Sequence, residues 1–167
     1  MNRADLIPSK ILTREQAVQR VAQWRLPGKT IAFTNGVFDL LHPGHIFSLS
    51  EAAREASYLI VGLNADVSVK RLKGNDRPVN NQDARALLLA SLLMVDAVVL
   101  FEEDTPLELI KALMPDVIVK GGDYTPEQVA GAKEVIAAGG KVVINPILEG
   151  WSTTRLIEKM KAPPDNP

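Results

Sequence analysis

Five short, strongly apolar segments recur along the chain, and they constrain its fold more than any other feature of the sequence. They are rich in β-branched residues and cover residues 30–34, 58–63, 97–101, 116–120 and 141–144. Apolar residues follow one another there with little alternation, which is typical of strands that are covered on both faces. The segments therefore predict the strands of a parallel sheet with helices packed on both sides.

Segments with helical periodicity lie between the predicted strands. They cover residues 13–24, 44–57, 82–95, 106–113 and 126–138. Thr13 and Gln16 have the spacing of a capping box at the start of the first helix, and Gly139–Gly140 is a natural stop after the last one. Strands that alternate with helices predict an α/β fold with right-handed crossovers, built on one doubly wound, five-stranded parallel sheet.

The length of 167 residues fits one globular domain. We expect an N-terminal tail over 1–12, the folded domain over 13–161 and a disordered tail over 162–167. The last segment holds prolines and polar residues, which cannot pack into a core. The absence of cysteine excludes both disulfides and cysteine-bound zinc as supports for the fold.

The charges of the chain are nearly balanced, with 19 Lys+Arg, 20 Asp+Glu and a net charge of −1. This balance gives no general attraction to nucleic acid or to an anionic membrane, so the expected partner is a small molecule. An anionic ligand then needs a local cluster of cations, which Lys70, Arg71, Lys73, Arg77 and Arg85 provide; a solvated helix and loop is the alternative interpretation. The sequence has no signal peptide or apolar run long enough to span a membrane, and we expect a cytoplasmic protein.

The strongest functional signal follows the first predicted strand. Residues 35–45 read Asn-Gly-Val-Phe-Asp-Leu-Leu-His-Pro-Gly-His, and they place His42 and His45 at the start of a predicted helix. Free backbone N–H groups and the helix dipole favour a phosphate there. The two imidazoles add hydrogen-bond donors for charge that develops on a phosphoryl group in transfer. Gly44 leaves room for a triphosphate beside the backbone; the alternative is that both histidines are merely structural.

This segment resembles the signature of the cytidylyltransferase-like nucleotidyltransferases, and residues 150–155, Gly-Trp-Ser-Thr-Thr-Arg, match their second signature. The resemblance implies a Rossmann-like nucleotidyltransferase fold and transfer of a nucleoside monophosphate from an NTP to a phosphorylated alcohol, with release of pyrophosphate. Within this superfamily the chain is most similar to the adenylyltransferases of ADP-heptose synthesis, which use ATP and D-glycero-β-D-manno-heptose 1-phosphate. That similarity runs from about residue 13 to 159. No sugar kinase segment is present, so the chain resembles the stand-alone form of these enzymes.

The resemblance also implies roles for individual residues. The expected catalytic residues are His42, His45 and Lys73. The expected ATP-binding residues lie at strand ends and at the start of the last helix: Thr34, Asn35, Gly36, Phe38, Gly44, Gly121, Asp123, Ser152, Thr153 and Thr154. The expected contacts to the sugar phosphate are Asp39, Asp66, Arg77, Arg85 and Tyr124. No metal site made by the protein is expected, because Mg²⁺ usually keeps its waters and is held mainly by substrate phosphates.

Several of these residues have a second interpretation. Asp39 either binds magnesium or orients the turn that presents His42, and we favour the second. Asp66 either contacts a sugar hydroxyl or caps the next helix. Ser152 and Thr153 either bind the β- and γ-phosphates or cap the last helix.

Two other functions stay open at this point. One is a cytidylyltransferase for glycerol 3-phosphate, although Ile147 stands where the glycerol-phosphate enzymes have an arginine. The other is a nucleotide-binding or dimerisation module without catalysis, although the histidines and Ser-Thr-Thr are intact. The apolar run 87–94 predicts a homo-oligomer, with a dimer as the simplest form, and a buried helix explains that run about as well.

Overall fold

The structure, a computed structural model, describes residues 2–122 and 124–161. Its centre is a parallel sheet of six strands in the spatial order β1-β4-β3-β2-β5-β6. The strands are β1 (Ile11–Leu12), β2 (Ile31–Gly36), β3 (Tyr58–Asn64), β4 (Ala97–Phe101), β5 (Val117–Gly121) and β6 (Lys141–Asn145). The predicted α/β fold with a doubly wound parallel sheet is confirmed.

Helices connect the strands and cover both faces of the sheet. They are α1 (Arg3–Leu6), α2 (Arg14–Arg25), α3 (Pro43–Arg54), α4 (Asp66–Lys73), α5 (Gln82–Ala90), α6 (Leu107–Leu113), α7 (Ala132–Ala137) and α8 (Thr153–Lys161), with short 3₁₀ turns at Pro8–Lys10 and Pro126–Gln128. The capping box at the start of α2 is present: the Gln16 amide donates to Thr13 Oγ1 at 3.2 Å, and the Thr13 amide donates to Gln16 Oε1 at 2.9 Å. Within the described residues, no helix is both long and apolar enough to cross a lipid bilayer.

The predicted number of five strands is wrong by one. β1 lies in the segment that was expected to be an N-terminal tail, and it pairs with the edge of β4 through Ile11–Val98 and Leu12–Val99. A two-residue strand is too short to give a periodic sequence signal, so pairing with β4 alone defines it. The other expected tail, 162–167, lies outside the described residues, and the predicted boundary at 161 stays a prediction.

The core lies in two layers, one on each face of the sheet. One layer packs α2, α6 and α7 against Phe33, Ile60 and Ile118, and the other packs α3 and α5 against Leu59 and Val61. Burial on both faces explains why the strands read as continuous apolar runs.

The strand order reverses between β2 and β5, and this reversal opens a crevice. β2 pairs with β3 along its whole length, from Ile31–Tyr58 to Gly36–Leu63. Its ladder with β5 stops after Phe33–Ile118, although both strands continue beyond that pair. The carboxyl ends of β2 and β5 therefore separate, and in open α/β sheets ligands bind in such a crevice.

Candidate active site at the carboxyl ends of the sheet

The loop that leaves β2 delivers both histidines to the crevice. His42 is the N-cap residue of α3, and Pro43 is its first helical residue. The rings of His42 and His45 stack with their centroids 3.8 Å apart and their planes inclined by 23°. Phe38 packs against His45 with a centroid distance of 5.2 Å. The predicted pairing of the two imidazoles at a helix N-terminus is present in the structure.

Both imidazoles are held in the neutral form. Burial lowers the pKa of His42. Burial and the neighbouring His42 ring lower the pKa of His45 to about 4, against a smaller opposing effect from the Leu40 backbone. Each ring therefore carries one N–H donor at neutral pH.

Three of the four imidazole nitrogens lack hydrogen-bond partners among the described residues. Nδ1 and Nε2 of His42 and Nδ1 of His45 are buried, and none of them has a partner among the described residues. A buried polar atom without a partner is costly, and such atoms in native folds commonly mark a binding site. These nitrogens are available for a ligand that offers hydrogen-bond acceptors.

Trp151 and Gly44 fix the position of the His42 ring. Trp151, just before α8, stacks with His42 at a centroid distance of 6.1 Å and an inclination of 19°. A Cβ atom on Gly44 would lie 3.0 Å from His42 Cε1 and Nδ1 and 3.1 Å from Trp151 Cβ. The sequence predicts that Gly44 leaves room for a triphosphate, whereas in the structure the space is taken by the His42 ring and Trp151.

Asp39 fastens a neighbouring loop rather than facing an open site. Its side chain is 1% exposed, and it accepts hydrogen bonds from the amides of Val79 and Asn80 at 2.9 and 3.0 Å and from Arg77 Nε at 2.8 Å. Burial raises the pKa of Asp39, but the bonds from Asn80, Val79 and Arg77 outweigh that effect and hold the pKa below its usual value. These bonds leave Asp39 little access to a substrate and favour its alternative role of orienting the turn before His42.

The Arg85 side chain likewise points into the interior of the protein. Its side chain is 0% exposed, and its guanidinium donates to the backbone carbonyls of Val37, Asn64 and Asn80 and to the Asp66 carboxylate. Because these acceptors within the protein already take its donors, Arg85 is not free for the expected substrate contact, and it holds neighbouring backbone segments in place.

Ion pairs with carboxylates occupy three of the five residues of the predicted basic cluster. Arg77 pairs with Asp39, Arg71 pairs with Asp104 at 2.8 Å, and Asp66 is occupied by Arg85. Lys73 is exposed and lines a cleft in the crevice. Of this cluster, Lys73 is the cation that lines the cleft, and its expected phosphate contact stays a prediction.

The cleft has a volume of about 380 Å³ and runs past the carboxyl ends of β2, β3 and β5. Its lining combines two lysines with amides, hydroxyl-bearing side chains and an aromatic ring. These residues are Asn35, Gly36, Val37, Asn64, Leu72, Lys73, Asp104, Thr105, Pro106, Lys120, Tyr124, Gln128, Val129 and Ala130. The expected site residues Asn35, Gly36, Lys73 and Tyr124 therefore share one cavity.

Lys120 is a cleft residue that sequence reasoning missed. It is the penultimate residue of β5, and its Nζ atom lies 5.5 Å from the centroid of the Tyr124 ring. Burial lowers the pKa of Lys120. The available signal was a charged residue at the end of an otherwise apolar strand, where parallel strands present their side chains to a ligand.

The other predicted site residues lie on β2, at the end of β5 and around the start of α8. Ser152 Oγ accepts from the Arg155 amide at 3.2 Å, so this hydroxyl caps α8 in the structure. Thr34 and Thr153 are half-buried, and Thr154 and Gly121 are exposed. Asp123 lies outside the described residues. Among the described residues, no three His, Asp or Glu side chains are grouped as metal ligands.

Comparisons with known proteins show what this chain is similar to. A model of the cytidylyltransferase-like family matches residues 33–159. The chain is 57% identical over 153 residues to the bifunctional protein HldE of Caulobacter vibrioides, covering 92% of this chain and 32% of that protein. HldE of Acidiphilium cryptum is 52% identical over 153 residues, with the same coverage. The chain thus spans about a third of the length of these relatives.

Two solved structures resemble the fold. The lipopolysaccharide core biosynthesis protein of Thermoplasma volcanium has a TM-score of 0.58 and 29% identity, over 72% of this chain and 98% of that one. The pantoate-beta-alanine ligase of Francisella tularensis has a TM-score of 0.56 and 16% identity, over 90% of this chain and 76% of that one. The second likeness concerns the fold alone.

Proposed function

The chain belongs to the cytidylyltransferase-like family, and from this premise we propose that it is an adenylyltransferase. It transfers AMP from ATP to D-glycero-β-D-manno-heptose 1-phosphate and releases ADP-heptose and pyrophosphate. The observation that carries the proposal is the stacked pair of His42 and His45, three of whose four ring nitrogens are buried and have no partner among the described residues. A phosphoryl group seated at the N-terminus of α3 supplies the acceptors that these rings lack.

The sugar acceptor is supported by the relatives. The chain shares 57% identity with a bifunctional HldE protein, and its fold resembles a protein of lipopolysaccharide core biosynthesis. Both agree with the resemblance of the sequence to the adenylyltransferases of ADP-heptose synthesis. The product would then serve the synthesis of lipopolysaccharide or another surface glycan.

The chemistry requires positioning and charge stabilisation rather than a strong base. A phosphate oxygen of the sugar 1-phosphate attacks the α-phosphorus of ATP, and the bond from that phosphorus to the bridging oxygen of pyrophosphate breaks. The nucleophile is already an anion at neutral pH, so no proton has to be removed from it. His42 and His45 donate hydrogen bonds to the α-phosphate as charge grows on it, and Lys73 binds a neighbouring phosphate.

ATP enters this reaction as its magnesium complex, with the cation held mainly by the phosphates. The Asp39 carboxylate, the candidate ligand in the sequence, is occupied by hydrogen bonds from Arg77, Val79 and Asn80. This occupancy favours a cation that arrives on the nucleotide.

Pyrophosphate release tests the proposal directly. Purified protein is assayed with ATP, CTP, GTP and UTP, each paired with heptose 1-phosphate, glucose 1-phosphate and glycerol 3-phosphate. The expected result is turnover with ATP and heptose 1-phosphate. Preferred turnover with CTP and glycerol 3-phosphate would establish the alternative cytidylyltransferase, and ATP binding without turnover on any acceptor would establish a non-catalytic module.

The histidines are tested in the same assay. His45→Ala is expected to lower kcat by a factor on the order of 10² to 10³, the usual cost of one transition-state donor. Lys133→Ala, on the exposed face of α7, is the matched control and should keep full activity. A His42/His45 double alanine variant with full activity would refute the assigned roles.

We also propose that the enzyme is a homo-oligomer in the cytoplasm, where ATP is available. On α5 and the turn after it, Leu87 and Leu88 are about half exposed and Leu93 is 96% exposed, which leaves apolar surface for a second copy. Sedimentation equilibrium tests this, with Leu93→Lys as the variant expected to shift the protein toward monomer.

A further inference from the structure

The cleft has a second cation, Lys120, which the proposed adenylyl transfer does not use. It lies on β5, while Lys73 lies at the end of α4, so the two lysines reach the same cleft from different elements. A phosphate monoester carries close to two negative charges at neutral pH. Lys120 adds a positive charge to this cavity beyond that of Lys73, and Asp104, the carboxylate in the lining, is paired with Arg71.

The environment of Lys120 prepares it for an anion. Its ammonium group lies over the face of the Tyr124 ring, at 5.5 Å from the centroid, which orients the side chain by a cation–π contact. Burial lowers the pKa of Lys120, because the charged form has lost part of its hydration. An incoming phosphate would replace the lost hydration with a charge-assisted hydrogen bond.

The rest of the lining suits a polyhydroxylated molecule. Asn64, Thr105 and Gln128 bring amide and hydroxyl groups that can donate to and accept from sugar hydroxyls. The cleft does not include the rings of His42, His45 or Trp151. It does include Asn35, Gly36 and Val37, which lead from β2 toward the histidine turn, and an in-line displacement requires the acceptor and the leaving pyrophosphate on opposite sides of the phosphorus.

We propose that the part of this cleft around Lys120 and Tyr124 is the acceptor site and that Lys120 binds the phosphate group of the sugar 1-phosphate, while Lys73 and the Asn35–Gly36 end of the cleft serve ATP. This inference rests on the proposed adenylyl transfer and adds the residue that holds its second substrate. Lys120 contacts the acceptor only, so its removal weakens acceptor binding and leaves ATP binding intact.

Substitution at Lys120 tests the inference. Lys120→Met keeps the length of the side chain and removes its charge, Lys120→Arg keeps the charge, and Lys133→Met is the control at an exposed site. Initial rates of pyrophosphate release give separate KM values for ATP and for heptose 1-phosphate. Lys120→Met is expected to raise the KM for the sugar phosphate by about tenfold or more, the effect of one charge-assisted hydrogen bond, and to change the KM for ATP by less than about twofold. Lys120→Arg should recover part of the loss.

Calorimetric binding of heptose 1-phosphate, with a non-hydrolysable ATP analogue present, separates the two proposals. Binding that Lys120→Met weakens supports the acceptor role even if the wild type shows no turnover, an outcome that would refute only the proposed reaction. Wild-type turnover with an unchanged acceptor KM in Lys120→Met, or a raised KM for ATP alone, would refute only the role of Lys120. A wild-type protein that does not bind the sugar phosphate would refute both.

Discussion

The guanidinium of Arg85 donates to the Asp66 carboxylate at 2.7 Å from a position where the arginine side chain is 0% exposed. The same group donates to the carbonyls of Val37 and Asn64, each at or just beyond the end of a central strand, and of Asn80 before α5. One side chain thus joins the ends of β2 and β3 to the loop before α5. A planar group with several donors can make these contacts together, whereas an ammonium group cannot.

Arg85→Lys is therefore expected to lower the free energy of unfolding by about 3 kcal/mol, because it leaves buried carbonyls and a carboxylate without donors. Urea denaturation followed by circular dichroism measures the change. Arg54→Lys is the matched control, since Arg54 pairs with Glu51 on the surface, and its effect should stay below about 1 kcal/mol. Equal effects of the two substitutions would show that the Arg85 network contributes no more than a surface pair.

Asp39→Asn separates the orienting role of this residue from the alternative role of metal ligand. The buried carboxylate accepts three hydrogen bonds from Arg77, Val79 and Asn80, and an amide can accept fewer. We expect a loss of about 2 kcal/mol of unfolding free energy. The concentration of Mg²⁺ that gives half-maximal activity should not change.

The magnesium titration decides between the two roles. A metal ligand would show the reverse pattern: nearly unchanged stability and a large rise in the Mg²⁺ requirement. Asp83→Asn, at an exposed position of α5, provides the control for a carboxylate-to-amide change without buried partners.

Gly44→Ala tests whether the position of the His42 ring matters for turnover. The added methyl group would lie 3.0 Å from two atoms of that ring and 3.1 Å from Trp151 Cβ, so the ring must shift by a few tenths of an ångström. Misplaced catalytic groups can cost up to about 10² in rate. We expect kcat to fall by at least tenfold while the KM for ATP changes little, measured by pyrophosphate release. Full activity would show that the ring tolerates displacement.

The sequence predicted the strands and the histidine site because both depend on local patterns. Buried strands read as apolar runs, and the 35–45 segment carries its chemistry in consecutive residues. β1 escaped prediction because pairing with β4 alone defines it. The predicted helix over 126–138 begins only at Ala132 in the structure, after Gly131 adopts a left-handed φ of 79° and interrupts it.

The direction of a charged side chain was harder to predict. Arg85 and Lys73 are equally basic in the sequence, yet one is turned inward to backbone carbonyls and the other lines the cleft. Lys120 ends an apolar, strand-like run, and its charge there was the one available signal. Only the separation of β2 from β5 shows that its side chain reaches a cavity.

Stability should depend on pH through His45. Its pKa is about 4 in the folded protein and 6.5 in an unstructured chain, so between these values the unfolded state binds more protons. The free energy of unfolding therefore falls as the pH drops from about 6.5 to about 4 and gains nothing further from this group above 6.5. The shift corresponds to at most about 3 kcal/mol. His42 acts in the same direction, since burial also lowers its pKa.

Urea denaturation at pH 7.5, 6, 5 and 4.5 measures how the free energy of unfolding changes with pH. His45→Asn, which cannot take up a proton, should lose most of that pH dependence. Identical slopes in the two proteins would show that His45 titrates normally in the fold and that its ring is open to water.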